Sequence, residues 1–250
     1  MIPCLLLKGN GFFKTRQFKK PVYLGDPINT LKIFNEKEVD EICILDIDAT
    51  RNGRGPNFDL LHDMASECFM PLSYGGGITS IDQIQKLFYS GFEKICINTS
   101  LVLNPDLVKQ AADNFGSQSV VASIDVKKGL LGKYEVMVNG GTRRTRMEPV
   151  ELAQQAERLG AGEILLNSID RDGTMQGYDL KLTSLVSNAV SIPVISCGGA
   201  RDVNDFKAAV LDAGASAVAA GAMFVFHGPH RAVLINVPRP DVIEKSLTRT

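Results

Sequence analysis

The chain has 250 residues, 44% of them hydrophobic and 22% charged, with 27 Lys and Arg against 28 Asp and Glu for a net charge of −1. With 23 Gly and 11 Pro it is an ordinary globular composition, which excludes a disordered tail, a collagen-like fibre and a coiled coil. Near-neutral charge argues against a general nucleic-acid binder. No apolar run approaches the ~18 residues of a membrane span, and MIPCLLLKG has too short an apolar stretch for a signal peptide. Of the five Cys, four sit in apolar strand-like runs and none forms a CxxC pair, the pattern of reduced, buried thiols in a cytoplasmic protein.

Eight short runs rich in Val, Ile and Leu recur along the chain: 2–7, 42–47, 70–74, 94–98, 120–125, 163–167, 193–197 and 217–221. Each suits a strand buried on both faces of a parallel sheet. Helical patterns lie between them. Pro27 to Lys37 places Ile28, Leu31 and Phe34 three residues apart. Ser80 is positioned as an N-cap for IDQIQKLFYSG, and Asn104-Pro105 opens DLVKQAADNFG. Pro149 stands in the first turn of VELAQQAERLG, and Asp202 precedes VNDFKAAVLDAG. Strand followed by helix, eight times, is the arithmetic of a single (β/α)8 barrel over 1–250.

The two halves resemble each other. ILDIDATRNGRG (44–55) aligns with LNSIDRDGTMQG (166–177), SYGGGI (73–78) with SCGGAR (196–201), and IPCLLLKG (2–9) with ASIDVKKG (122–129). The repeat predicts two half-barrels, about 1–118 and 119–250, related by a pseudo-twofold axis. Two connections are long. Lys8 to Asp26 carries Lys14, Arg16, Lys19 and Lys20 among glycines and reads as a lid over an anionic substrate. LLGKYEVMVNGGTRRTRM after strand 5 reads as a small hairpin turning at Asn139-Gly140. Both follow strands, on the side where barrel chemistry occurs.

Gly75–Gly77 and Gly198-Gly199 follow strands 3 and 7 and precede helix-capping residues. Glycine lets backbone N–H groups approach a phosphate, and a helix N-terminus adds positive partial charge. Small-residue turns at Asn98-Thr99-Ser100 and Ala220-Gly221 follow strands 4 and 8. The duplication predicts two cradles on opposite sides of one mouth, fitting a ligand with a phosphate at each end. Asp46, Asp48, Asp125, Asp170 and Asp172 fall at or just past strand ends, where a carboxylate can exchange protons with a substrate. Asp48 and Asp170 read equally well as loop-ordering residues. The half-repeat partner of Asp125 is Leu6, so a symmetric acid–base pair is missing one member. Glu41, Lys94 and Glu163 begin strands at the opposite end, either as plain rim charges or as a salt-bridged plug. His62, His227 and His230 have no metal-ligand spacing with a carboxylate or Cys, so neither a metal nor a cofactor is expected.

The motifs IPCL, LDI, GGGI, INT, GSQSVV, SIDRDG, GYD and GGA, in order and at this spacing, resemble HisF, the cyclase subunit of imidazole glycerol phosphate synthase, over nearly the whole chain. The resemblance implies a HisH-like glutaminase that releases ammonia at the barrel bottom, a passage through the barrel, and a bisphosphate substrate at the top. It implies aspartates ending strands 1 and 5 as acid and base. Asp125 matches the second; Leu6 stands in place of the first. Lys14 matches the lysine of the family's mobile first loop. Gly77, Asn98 and Thr99 match one phosphate site. Gly173, Gly199, Ala220 and Gly221 match the other, where the family usually has Ser at the position of Gly221. Glu41, Lys94 and Glu163 match three members of a charged gate whose fourth is an arginine ahead of IPCL. Asn167 stands where Thr is usual. IPCLLLKG, ECFMP, GDPIN, IFNEKEVDE and FVFHGPHRAVLI are most similar to the HisF paralogues found with surface-polysaccharide genes (the WbuZ/AglZ type). That likeness implies ammonia supply to a sugar amidotransferase, which converts an N-acetyl to an acetamidino group.

Overall fold

A computed structural model describes residues 1–37, 39–129, 131–228 and 230–247. Leu130 of the expected hairpin and Pro229 between the two histidines lie outside the described residues. Eight parallel strands close into a barrel: β1 (Ile2–Lys8), β2 (Ile42–Asp46), β3 (Leu72–Gly75), β4 (Lys94–Ile97), β5 (Val120–Lys128), β6 (Glu163–Ser168), β7 (Val194–Cys197) and β8 (Ala217–Ala220). Each pairs with its neighbours in sequence. β8 returns to β1 through Ile2 opposite Ala219, and β5 to β6 along Glu163–Ser168, so no barrel strand is left as an edge.

The apolar runs have continuous rather than alternating hydrophobicity because both faces are covered. In β1, Ile2, Cys4 and Leu6 face the lumen, whereas Leu5 and Leu7 pack outward against the helices. The lumen is filled by Ile2, Cys4, Leu6, Cys43, Cys96, Val121, Leu165, Ile195, Cys197 and Ala219. The larger core lies between barrel and helices and includes Phe34, Leu61, Met64, Tyr74, Phe206 and Phe224, all essentially inaccessible.

The helices are α1 (Pro27–Asn35), α2 (Phe58–Ser66), α3 (Ile81–Tyr89), α4 (Thr99–Leu103), α5 (Asp106–Phe115), α6 (Pro149–Arg158), α7 (Leu180–Ser187), α8 (Val203–Lys207), α9 (Ala222–Val225) and α10 (Pro240–Leu247). Several start where the sequence places a cap. The Ser80 hydroxyl accepts from Gln83 N, and Asp202 forms a capping box with Asp205. Pro149 occupies the first turn of α6.

Two additions decorate the mouth. The expected lid is a hairpin of Gly11–Arg16 and Lys19–Gly25 with register shifts between Phe12 and Phe13 and between Lys14 and Arg16, its first strand antiparallel to β1 with Leu6 opposite Phe13. Nothing in the basic, glycine-containing sequence identifies it as sheet. The insertion after β5 is a hairpin as expected: Tyr134–Val138 pairs antiparallel with the end of β5, and the turn at Asn139-Gly140 leads to Arg143–Arg144. The turns of these additions touch, since a Cβ at Gly141 would strike the Phe18 ring, and Arg51 of the loop after β2 donates its guanidinium to Gly140 O. Among the described residues no helix is long and apolar enough to cross a membrane.

Candidate active site

The strand C-termini open into a cavity of about 550 Å³, lined among others by Leu6, Lys14, Asp46, Asp125, Asn167 and Asp172. Its loops, residues 8–26, 46–57, 76–80, 98–105, 125–148, 168–179, 198–202 and 221–240, hold 17 of the 27 Lys and Arg but only 10 of the 28 carboxylates. The mouth therefore carries +7 and the rest of the chain −8. A field of that sign draws in anions and raises their local concentration.

Asp125 ends the lumen face of β5 and is buried. Its strand-pair partner on β6 is Asn167, whose amide donates to Asp125 Oδ1 at 3.3 Å. Burial pushes the carboxyl up to about 7, against the lowering hydrogen bond from Asn167, with the charge of Asp172 adding to the rise. A carboxyl that titrates near neutrality can give or take a proton at working pH. Among the described residues Asn167 Oδ1 is buried without a partner, and the amide nitrogen donates to Asp125.

Leu6 occupies the corresponding place on β1, beside Leu45 of β2. It contributes hydrocarbon to the cavity and no proton. Asp46, the nearest substitute from the sequence, is committed to its own loop: Oδ1 accepts from Asp48 N and Ala49 N, both at 3.0 Å. Burial raises its carboxyl, and those two hydrogen bonds oppose the rise.

Lys14 reaches the cavity from the first strand of the lid hairpin. Its ammonium is buried and donates to Asp172 Oδ1 at 2.7 Å, and Thr15 donates its hydroxyl to Asp172 Oδ2 at 3.2 Å. Gly221 packs closely here: a Cβ there would lie 2.9 Å from Cys4 O and 3.0 Å from Lys14 Cε. From sequence Asp172 is only one of five carboxylates near strand ends, and nothing there assigns it to Lys14. The available signal was the repeat, because Asp172 aligns with Thr50, which also lines the cavity and accepts from Gly77 N at 3.2 Å.

Asp48 and Asp170 are loop-ordering residues. Asp48 lies 3.7 Å from Lys8 Nζ at the end of β1, and Asp170 accepts from Lys128 N, at the end of β5, at 2.7 Å. These repeat-related contacts tie neighbouring strand ends together.

Gly77, Asn98 and Thr99 line one side of the cavity and Gly173, Gly199 and Gly221 line it too. Ala220 does not: its side chain packs in the core outside the barrel. Gly77 has φ +67° and Gly199 φ +115°, and a Cβ at either would collide with a carbonyl, of Arg54 or Gly177. Among the described residues the helices behind Asn98 and Gly221, α4 and α9, have no side-chain cap. Asn98 instead donates to Ser123 O at 2.9 Å. Thr99 Oγ1 accepts from Asn139 N at 3.0 Å, which anchors the β5 hairpin to this side of the mouth.

At the other end of the barrel the three strand-start charges converge. Lys94 Nζ donates to Glu41 Oε2 at 2.8 Å and to Glu163 Oε1 and Oε2 at 3.0 and 3.1 Å. Burial pulls the Lys94 ammonium down, but the hydrogen bonds and charges of Glu41 and Glu163 outweigh it and leave the pKa raised. The plain-rim reading of these residues therefore fails: they form one network. Among the described residues no three or more His, Cys, Asp or Glu side chains are arranged to hold a metal ion.

Fold and site together define a parallel (β/α)8 barrel with an electropositive mouth, a buried carboxyl raised to about 7 and glycine-walled turns after strands 3 and 7. The chain belongs to the family described as histidine biosynthesis protein, whose model matches residues 1–230. It is 52% identical over 238 residues, 95% of each chain, to a Pseudomonas aeruginosa protein provisionally named imidazole glycerol phosphate synthase subunit hisF2. It is 46% identical over 239 residues, 95% of this chain and 94% of the other, to a Leptospira borgpetersenii protein provisionally named as the HisF subunit. It is also 42% identical over 227 residues, 91% of this chain and 90% of the other, to the imidazole glycerol phosphate synthase subunit HisF of Alkaliphilus metalliredigens.

Proposed function

We propose that this chain is the cytoplasmic barrel subunit of a glutamine-dependent amidotransferase complex and delivers ammonia rather than consuming it efficiently itself. A HisH-like glutaminase docks on the strand-start face. Ammonia enters past Glu41, Lys94 and Glu163, follows the thiol- and hydrocarbon-lined lumen, and emerges beside Asp125. The mouth holds a phosphate-bearing ligand between the turns at Gly77, Asn98 and Thr99 and those at Gly173, Gly199 and Gly221. The observation that carries the delivery reading is Leu6: the carboxyl of Asp125 shares its cavity with a hydrocarbon where cyclisation needs a second proton-transferring group. The acceptor is then a sugar amidotransferase that turns an N-acetyl into an acetamidino group in surface-polysaccharide synthesis.

A second reading, the lyase that cyclises a bisphosphate ribonucleotide in histidine biosynthesis, is favoured by the relatives' names and by the retained Lys14, Asp125 and glycine turns. Turnover of that ribonucleotide with excess ammonium salt separates the two. Delivery predicts a rate at least about 100-fold below that of an established cyclase, the lower bound for losing one acid–base group. A comparable rate overturns delivery and assigns the lyase.

A further inference from the structure

Four of the five cysteines lie inside the barrel. Cys4, Cys43, Cys96 and Cys197 are each at most 6% exposed, in a lumen that barrels usually fill with branched aliphatic side chains. Three stand in a row: Cys43 Sγ and Cys96 Sγ are 3.8 Å apart, and Cys4 is the strand-pair partner of Cys43. All four are free thiols.

The row cannot close as a Cys43–Cys96 disulfide without moving the backbone. These residues stand on β2 and β4, with β3 between them. At a strand spacing of about 4.8 Å their backbones are roughly 9 Å apart, beyond the ~7 Å Cα limit for an S–S bond. Two sulfur–metal bonds of about 2.3 Å placed end to end span about 4.6 Å, so small rotations of two side chains would seat an ion between the sulfurs. Thiolates are soft ligands and select soft d10 cations such as Cu(I). The elongated row offers facing pairs rather than a tetrahedral cage, consistent with no three-ligand cluster among the described residues.

We propose that Cys43 and Cys96 form a two-coordinate site for a soft monovalent d10 cation, Cu(I) or Ag(I), inside the barrel lumen. Entry is from the mouth, since Cys4, Cys96 and Cys197 line the floor of the cavity and hand the ion inward. Binding one monovalent cation displaces the two thiol protons to solvent and leaves a net charge of −1. The Lys14–Asp172 pair above is neutral overall and the Lys94–Glu41–Glu163 network below carries −1, so neither offsets that charge and the metal–sulfur bonds must outweigh the cost of burying it. Under the delivery reading the ion also closes the passage; the binding itself does not depend on that reading.

The test uses the intact chain under anaerobic conditions with Cu(I) supplied from a bicinchoninate buffer, read by native mass spectrometry. Wild type and Cys68→Ser should each retain one Cu(I), and Cys43→Ser and Cys96→Ser should compete at least 100-fold less well. Circular dichroism and thermal melting establish that each variant is folded. If a serine variant does not fold, copper-edge X-ray absorption of the wild type decides, with two sulfur ligands expected. The proposal is overturned if wild type retains no copper, if folded Cys43→Ser retains it as wild type does, if Cys68→Ser alone loses it, or if the copper shows nitrogen or oxygen ligands.

Discussion

Leu6→Asp restores a carboxylate on β1 in the cavity that holds Asp125, and the structure sets both its gain and its cost. General acid–base catalysis is worth about 10²–10⁴ in rate, or roughly 3–5 kcal/mol of barrier. The site around residue 6 is apolar: Leu6 is 8% exposed, and Leu45 is its partner on β2. Losing a buried leucine side chain costs about 1.5–3 kcal/mol of transfer free energy. The new carboxyl meets the same desolvation that raises Asp125 to about 7, so it is seated partly protonated, as a donor, at neutral pH. The variant should be several kcal/mol less stable in urea, with the larger loss at pH 8 than at pH 6. Its cyclisation rate with ammonium salt and the bisphosphate ribonucleotide should rise at least about 100-fold over wild type. Leu6→Asn controls for polarity without proton transfer and should stay at the wild-type rate. A folded Leu6→Asp no faster than wild type, or a Leu6→Asn equally fast, would refute the assignment of the missing proton to position 6.

Three further outcomes follow from the same geometry. Asp125 has a folded pKa above its unfolded value, so it costs nothing below about pH 4 and progressively more as the pH rises through about 7. Asp125→Asn should therefore gain stability over wild type, by up to about 4 kcal/mol at pH 8 and by nothing at pH 4; a pH-independent difference in urea titrations contradicts the buried-carboxyl account. Lys94→Glu gathers three carboxylates where a 2.8 Å ion pair stood, and should abolish glutaminase docking or cut glutamine-driven ammonia transfer at least tenfold while free ammonium still serves. Unchanged docking and transfer would leave the network without a role in passage. Gly173→Ala puts a Cβ against the Thr15 carbonyl at φ +67°. It should destabilise by about 1–3 kcal/mol and loosen the lid, seen as faster hydrogen exchange over residues 11–25; unaltered exchange there would show that the lid does not lean on this turn.

The sequence by itself determined the barrel. Continuous Val, Ile and Leu runs, Ser80 and Asp202 at helix starts, and Pro149 in a first turn are local rules that hold wherever the chain goes. The half-chain repeat likewise located the glycine turns and singled out Leu6 as the broken partner of Asp125. Only closure of the sheet decided what meets inside it. Lys14 and Asp172 are 158 residues apart and pair because the lid hairpin folds back over β6. Glu41, Lys94 and Glu163 fit either rim charges or a plug until alternate strands bring them to one axis. Sequence left Asp48 and Asp170 equally open to a loop-ordering and a proton-transfer reading, and their partners Lys8 and Lys128 decided for the first. The lid shows no strand pattern because its pairing comes from an extended β1 rather than from its own hydrophobic period. Side-chain period and turn chemistry are short-range and written along the chain. Contacts across a lumen depend on barrel register, which all eight strands set together.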